Sequence, residues 1–229
     1  MQHLAIIMDG NRRWAREKKL QAVSLGHKKG VDSVKSAIKF CLKNNIKYLS
    51  LYTFSLENFN RDGVEKKYLF DLLTRTLRDD LDELISYGVK VRFVGDRSCF
   101  PEQMESVVAG SEEGTRGLDK LCLNILFCYG SKQEVIFAAK KVAQKVRDGV
   151  LRVDEINESV FRKEMWLNGT PDPDLIIRTG KTFRLSNFLL FQAAYSELMF
   201  LDCYWPEVNE SLLQNCLDKF HKSKRNFGK

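Results

Sequence analysis

Short apolar runs alternate along the chain with longer segments whose apolar residues recur every three or four positions. The run from His3 to Met8 (HLAIIM) is continuous and apolar and ends at Asp9-Gly10, as a buried strand running into a loop would. From His27 to Asn44 the apolar positions are Val31, Val34, Ile38, Cys41 and Leu42, which is helical spacing. Ile46 to Phe54 reads as the next strand. Residues 65–87 carry the clearest helical stripe, through Leu69, Leu72, Leu73, Leu77, Leu81, Leu84 and Ile85. Val89–Val94 reads as a strand that stops at Gly95-Asp96. Residues 101–117 read as a helix opened by Pro101, Leu121–Cys128 as a buried strand, and 131–148 as an amphipathic helix. A less regular stretch with Pro171 and Pro173 leads to a strand at Leu175–Ile177. Ser186 is placed to cap a helix over 187–195. A short strand at Leu198–Leu201 and a helix over 208–224 close the pattern.

Strands alternating with helices predict an α/β fold with a mainly parallel sheet flanked by helices. No repeat or linker divides the sequence, so residues 1–229 read as a single domain. In such sheets, sites gather at the carboxyl ends of strands. Polar clusters fall there: Asp9–Arg13, Ser55–Arg61, Gly95-Asp96, Tyr129–Ser131 and Arg178–Ser186.

Composition narrows the chemistry. Lysine and arginine exceed aspartate and glutamate by 37 to 30, a formal charge of +7. That excess suits an anionic partner, whether nucleic acid, an acidic membrane surface or a phosphorylated small molecule. No nucleic-acid recognition motif accompanies it. The six cysteines show no C-x-x-C pair and no zinc-ligand spacing to the three histidines, and they read as reduced core residues. The chain starts directly with a strand-like run, shows no signal-peptide pattern and has no apolar stretch of ~18 residues. A cytoplasmic protein is the expectation.

Three clusters carry candidate chemistry. Asp9 follows a buried strand, where a carboxylate is well placed for Mg²⁺, and Gly10, Asn11, Arg12, Arg13 and Trp14 follow with backbone N–H groups and guanidinium groups suited to phosphate. An Asp cap on a basic surface helix is the alternative. The stretch Thr53–Arg61 sets hydroxyl, amide, carboxylate and guanidinium groups between two aromatic rings, fitting a ligand with a polar head and an apolar body; a simple turn capped by Ser55 is the alternative. In the third cluster, Gly180-Lys181-Thr182 invites a P-loop reading, but that loop needs a glycine at 175, where Leu175 stands. Arg178, Arg184 and Ser186 remain a candidate diphosphate clamp, with Glu197 beyond them as a second oxygen ligand.

At these residues the chain resembles the cis-prenyltransferase family, and most closely its bacterial undecaprenyl diphosphate synthases. The matching stretches are HLAIIMDGNRRWA, GHKKG at 26–30, LYTFSLENFNR at 51–61, VGD at 94–96 and LSNFLLFQAAYSELMF at 185–200, in the family's order over nearly the whole chain. The aspartate-rich motif of trans-prenyltransferases is absent. The resemblance implies a six-stranded, mainly parallel sheet with an apolar tunnel, and a homodimer. It implies elongation of farnesyl diphosphate by successive cis condensations with isopentenyl diphosphate. It further implies Mg²⁺ as cofactor, no nucleic-acid partner, and peripheral membrane contact for product release. By matching position, Asp9 would be catalytic and hold Mg²⁺ with Glu197. Asn58 would be catalytic, positioning a water or a diphosphate oxygen rather than acting as a base, because a neutral amide is a poor base. Gly10, Asn11, Arg12, Arg13, Trp14 and His27 match the allylic-substrate loop. Ser55, Leu56 and Glu57 match the hinge stretch, with Phe59 and Arg61 beyond it. Arg178, Arg184, Leu185 and Ser186 match the isopentenyl diphosphate site. The apolar faces of 65–87 and 121–128 would serve the tunnel or the core.

The chain also departs from the family pattern. Arg12 stands where glycine is usual, Phe59 where tryptophan is, Asp62 where proline is, and Gly180-Lys181-Thr182 loses a carboxylate. Val23 stands where an arginine normally precedes the motif histidine by four residues. Among Arg16, Lys18 and Lys19, one cation is expected to take over that arginine's contact with the allylic diphosphate, unless all three lie on a solvated helix face. Two other functions stay open from sequence: a catalytically silent scaffold subunit, against which the retained Asp9, Asn58, Arg178, Arg184, Ser186 and Glu197 argue, and a basic nucleic-acid-binding module.

Overall fold

The computed structural model describes residues 1–60 and 62–223. Its centre is a six-stranded sheet built from β1 (His3–Ile7), β2 (Tyr48–Ser55), β3 (Val89–Val94), β4 (Leu121–Tyr129), β5 (Leu175–Arg178) and β6 (Glu197–Phe200). The strands lie in the order β3-β4-β2-β1-β5-β6, and every neighbouring pair is parallel. The mainly parallel sheet expected from the alternation is therefore parallel throughout. Parallel strands need crossovers, and the helices supply them: α1 (Asn11–Glu17), α2 (Ser24–Lys43), α3 (Gly63–Tyr87), α4 (Glu102–Gly114), α5 (Ser131–Arg147), α6 (Glu158–Lys163) and α7 (Glu210–Lys222).

Side chains alternate across each strand, so β1 sends Leu4 and Ile6 to one face and His3, Ala5 and Ile7 to the other. The first face joins Leu49 and Leu51, Val91 and Phe93, Leu121, Leu123, Ile125 and Phe127 to buried residues of α2, α3, α4 and α7. The second core is smaller and holds Ala5, Ile7, Leu126, Tyr129, Ile176, Phe188 and Leu189. Within it Glu134 of α5 is fully buried and accepts hydrogen bonds from the Tyr129 hydroxyl (2.5 Å), the Gln192 amide (2.9 Å) and the Leu167 N–H (2.9 Å). Burial raises its pKa; the bonds oppose that rise.

The helix expected over 187–195 does not form. That segment runs through turns, with left-handed backbone at Ser186 (φ 50°), Asn187 (φ 65°) and Leu189 (φ 45°). The Ser186 hydroxyl, expected as a cap, instead accepts from Arg178 (2.8 Å) and Arg184 (3.2 Å). Conversely, α6 forms in the stretch read as irregular, capped by Asn157 accepting from the Val160 N–H (3.0 Å). The helix read over 208–224 ends at Lys222, and residue 224 lies outside the described residues.

A directed polar chain crosses the sheet at the amino end of β1. The His3 Nδ1–H donates to the Pro171 carbonyl (2.7 Å), so Nε2 must accept from the Ser50 hydroxyl (2.8 Å). The Ser50 oxygen in turn accepts from the Asn124 amide (3.1 Å). Only a neutral imidazole completes this chain, and burial holds the His3 pKa down to about 4, from an ordinary 6.5. A depressed pKa contributes stability that is fully present above pH 6.5 and is lost as the pH falls from there towards 4 and below. Urea unfolding between pH 7.5 and 4.5 should show this loss, and His3→Gln, which cannot titrate, should be less stable at neutral pH but flatter across the range. Equal slopes for the two proteins would remove His3 from the pH response.

Candidate active site at the sheet's switch point

The chain leaves β1 for β2 on one side, while β5 pairs on the other. Strand order therefore reverses between β1 and β5, and open parallel sheets bind ligands in that crevice, at the carboxyl ends. Asp9 lies two residues past the end of β1, and Arg178 ends β5. Arg178 is 4% exposed and donates through Nη2 to Asp9 Oδ2 (2.8 Å). Its Nη1 donates to the Ser186 hydroxyl (2.8 Å) and to the Arg184 carbonyl. On the other carboxylate oxygen, Arg13 Nη2 lies 3.1 Å from Asp9 Oδ1. The backbone is pinned as well: the Asp9 carbonyl accepts from the Thr179 hydroxyl (2.7 Å) and from the Trp205 N–H (3.1 Å). Gly180 (φ +88°) has to be glycine here, because a Cβ would sit 2.7 Å from Arg13 Nη2 and 2.9 Å from Asp9 Cγ.

These groups form the mouth of a cavity of about 960 Å³, at the upper end of the range for small-molecule sites. Asp9, Gly10, Asn11, Arg12, Arg13, His27, Ser55, Glu57, Asn58, Arg178, Arg184 and Ser186 line it. Deeper in, the walls are apolar: Val34 and Ile38 from α2, Leu69, Leu72, Leu73, Leu77 and Leu84 from α3, and Leu51, Leu123, Ile125 and Phe127 from the sheet. The stripe read on 65–87 thus faces open space over much of its length. Polar groups also bridge α2 and α3 on the cavity wall. Lys35 Nζ lies 2.6 Å from Asp80 Oδ1 and 3.7 Å from Glu83, and the Tyr87 hydroxyl donates to Glu83 (2.9 Å). The Asp80 bond raises the Lys35 pKa.

Not every expected residue reaches the cavity. Trp14, Leu56, Phe59 and Leu185 do not line it. Phe59 instead meets Phe54 edge to face at 5.3 Å, in a cluster with Phe70 and Phe127. Leu56 packs on the first core and Leu185 on the second. Arg61 lies outside the described residues. Glu197 is at the wrong end of the sheet for a shared ion. It pairs with Leu175, which pairs with Leu4, five residues before Asp9 and so roughly 16 Å from it at about 3.3 Å per residue. Within one chain, Glu197 and Asp9 do not meet. Among the described residues, no three His, Cys, Asp or Glu side chains converge on one point.

The structure adds groups that the sequence did not single out. Glu65 of α3 lies 3.3 Å from Arg12 Nη1 and 3.7 Å from His27 Nε2, tying the first loop to α3. Asn187 and Thr179 sit beside residues that were named. Of the three cations after Arg13, Arg16 lines the cavity, while Lys18 and Lys19 are exposed at the end of α1 and do not. α1 is seven residues long, so its anion affinity rests on the Arg12, Arg13 and Arg16 side chains more than on a helix dipole.

Comparison with known proteins agrees with this geometry. The family profile described as "Putative undecaprenyl diphosphate synthase" matches residues 7–228. A ditrans,polycis-undecaprenyl-diphosphate synthase ((2E,6E)-farnesyl-diphosphate specific) of Legionella pneumophila is 43% identical over 227 residues, covering 99% of this chain and 95% of that protein. An isoprenyl transferase of Oceanobacillus iheyensis is 40% identical over 226 residues, covering 99% and 89%. Among solved structures, lavandulyl diphosphate synthase from Lavandula x intermedia, in complex with dimethylallyl diphosphate, superposes with a TM-score of 0.96 at 32% identity, covering 100% of this chain and 98% of that one. A probable undecaprenyl diphosphate synthase from Campylobacter jejuni superposes with a TM-score of 0.83 at 33% identity, covering 100% and 99%.

The Asp9–Arg178 pair yields a stability prediction. Asp9→Ala leaves a buried guanidinium without its carboxylate, whereas Asp9→Asn keeps a hydrogen-bond acceptor. Urea unfolding should find Asp9→Ala less stable than Asp9→Asn by about 1–3 kcal/mol, the cost of an unsatisfied buried donor. Equal stabilities would mean that Arg178 finds another partner.

Proposed function

We propose, because the chain belongs to the undecaprenyl diphosphate synthase family of cis-prenyltransferases, that it elongates farnesyl diphosphate by successive cis condensations with isopentenyl diphosphate to a long-chain polyprenyl diphosphate. The observation that carries this reading is one cavity with a cationic mouth and an apolar interior. Neither a scaffold role nor nucleic-acid binding accounts for it. No helix among the described residues is long and apolar enough to cross a membrane, which is compatible with a peripheral rather than a spanning relation to the lipid product. The family resemblance favours a homodimer.

In each cycle the allylic C–O bond breaks and diphosphate leaves. A C–C bond forms to the isopentenyl unit, which then loses a proton. Arg12, Arg13 and Arg16 face the allylic diphosphate. Arg178, Arg184 and Ser186 hold the isopentenyl diphosphate. Asn58, on the 3-10 turn Leu56–Asn60 at the mouth, positions the oxygen that takes the proton. Asp9 is the residue that would hold Mg²⁺. A single carboxylate suits that ion, which keeps several waters and draws its other oxygens from substrate phosphates. When bound, the ion would neutralise charge building on the departing diphosphate. Asp9 would also orient Arg178 and Arg13, each of which it already meets. Glu197 takes no part in this proposal.

Incubation with farnesyl diphosphate, labelled isopentenyl diphosphate and Mg²⁺ should give long polyprenyl products on chain-length analysis. Chelation should stop the reaction, and Asp9→Asn should lower turnover by several orders of magnitude in a folded protein. No elongated product from the wild-type chain would sink the proposal.

The position of Arg16 sharpens a second expectation. The Val23 side chain has no donor for a diphosphate, and of Arg16, Lys18 and Lys19 it is Arg16 that lines the cavity. Arg16→Ala should raise the farnesyl diphosphate KM about tenfold, a loss of ~1.4 kcal/mol. Lys18→Ala and Lys19→Ala should behave like wild type. The reverse ranking would move the contact to a lysine.

A further inference from the structure

Asn187 lies at the cavity mouth, between two segments assigned to different tasks. Its side chain is saturated by groups from two other elements. The Nδ2 amide donates to Glu57 Oε1 (2.8 Å), on the turn that follows β2, and to Gln133 Oε1 (2.9 Å) of α5. Its Oδ1 accepts from the Lys132 N–H (2.8 Å), and its carbonyl accepts from the Ser131 N–H (2.8 Å). The backbone is left-handed at Asn187 (φ 65°) and at Ser186 (φ 50°), a conformation that asparagine adopts more readily than most residues. The fit leaves no slack at Gly130, where a Cβ would stand 2.7 Å from the Asn187 amide nitrogen and 2.3 Å from Gln133 Oε1.

One side of this residue is therefore bolted to the first turn of α5, and the other reaches across the mouth. Directly before it, Ser186 accepts from Arg178 and Arg184. Directly after Glu57 comes Asn58. We propose that Asn187 is a positioning residue that fastens the Arg184–Ser186 clamp to the Glu57–Asn58 turn, so that the clamp and the turn are set together. This rests on the elongation reading above and deepens it: binding of isopentenyl diphosphate at the clamp would depend on a carboxylate that lies on the opposite lip of the cavity. The bond is charge-assisted and partly exposed, so its contribution comes from geometry rather than from large binding energy.

A polarity swap separates this role from mere loop structure. Asp is also tolerated in left-handed backbone and keeps the acceptor for Lys132, but it faces Glu57 with like charge. Asn187→Asp should raise the isopentenyl diphosphate KM tenfold or more, with a smaller change in the farnesyl diphosphate KM. Glu57→Gln alone keeps an acceptor and sets the reference value of the isopentenyl KM for the pair. Combined with Asn187→Asp it presents an amide donor to the new carboxylate, and should restore the isopentenyl KM to within about threefold of the Glu57→Gln value. Thermal unfolding of each protein checks that the fold is retained. If Asn187→Asp does not fold, Glu57→Ala removes the same contact without touching the clamp and should raise the isopentenyl KM. An unaltered isopentenyl KM in Asn187→Asp, a defect that Glu57→Gln does not relieve, or an effect of Glu57→Ala confined to farnesyl diphosphate would each overturn the role. Inactivity of the wild-type chain would instead defeat the elongation reading itself.

Discussion

A buried guanidinium holds the upper edge of this molecule together. Arg178 is almost fully enclosed, and a charge in that position is costly unless it is paired and hydrogen-bonded. Asp9, Ser186 and the Arg184 carbonyl occupy its two terminal nitrogens, while its Nε stays buried without a partner. The three partners come from the loop after β1 and the loop after β5, so the cost of burying one charge is offset only when both loops are in place. Arg13 and Thr179 then pin Asp9 from the remaining sides. The residues that would meet phosphate are fixed by bonds they make to one another, before any ligand arrives. Preorganisation of this kind is what lets charged groups act strongly on a developing charge.

The second constraint is steric. A helix with an apolar stripe normally buries it against the sheet. Here α3 carries 25 residues, and of these Leu77 and Leu84 are buried. Leu69, Leu72 and Leu73 are half-buried at the cavity wall. Towards its lower end Lys35, Asp80 and Glu83 link the helix to α2 through polar contacts. At its upper end Glu65 holds Arg12 and His27. Contacts at both ends of α3 thus keep apolar surface apart that would otherwise collapse together.

Much of this was legible in the sequence, for reasons that also explain the failures. Strands with continuous apolar runs and helices with long stripes are local patterns, and they appear within three residues of the expected limits. Asp9 and Arg178 were legible because a polar group directly after a buried strand can only be at its carboxyl end. The segment 187–195 was misread because its apolar spacing also suits two turns packed on a small core, and because Ser186 serves Arg178 rather than a helix end. Glu197 lies close after Ser186 in sequence, yet β6 restarts from the bottom of the sheet, and this register keeps it away from Asp9 of the same chain. Leu56, Phe59 and Leu185 show a further limit. Their neighbours line the cavity, and a side chain one position along packs on a core. Glu65 and Asn187 act through partners more than ten residues away, which no local pattern reports.

The two halves of the cavity together dictate the direction in which a bound molecule can grow. Arg12, Arg13, Arg16, Arg178 and Arg184 line the mouth, against Asp9 and Glu57. A diphosphate left there finds several donors; moved inward among Leu72, Leu77 and Leu123, it would lose them all and gain none. An apolar tail has the opposite preference, at about 0.8 kcal/mol for each methylene taken out of water. A ligand carrying both therefore has one favourable orientation, head at the mouth and tail inward. Each unit added next to the head lengthens the tail, and the diphosphate that the unit brings must pass from Arg178 and Arg184 to Arg12, Arg13 and Arg16 before the next addition, so the stabilisation from burial grows with every addition while the head stays within the mouth. Growth stops being favourable only where the apolar wall ends, and on this wall the polar groups of Lys35, Asp80, Glu83 and Tyr87 mark where apolar contact gives out.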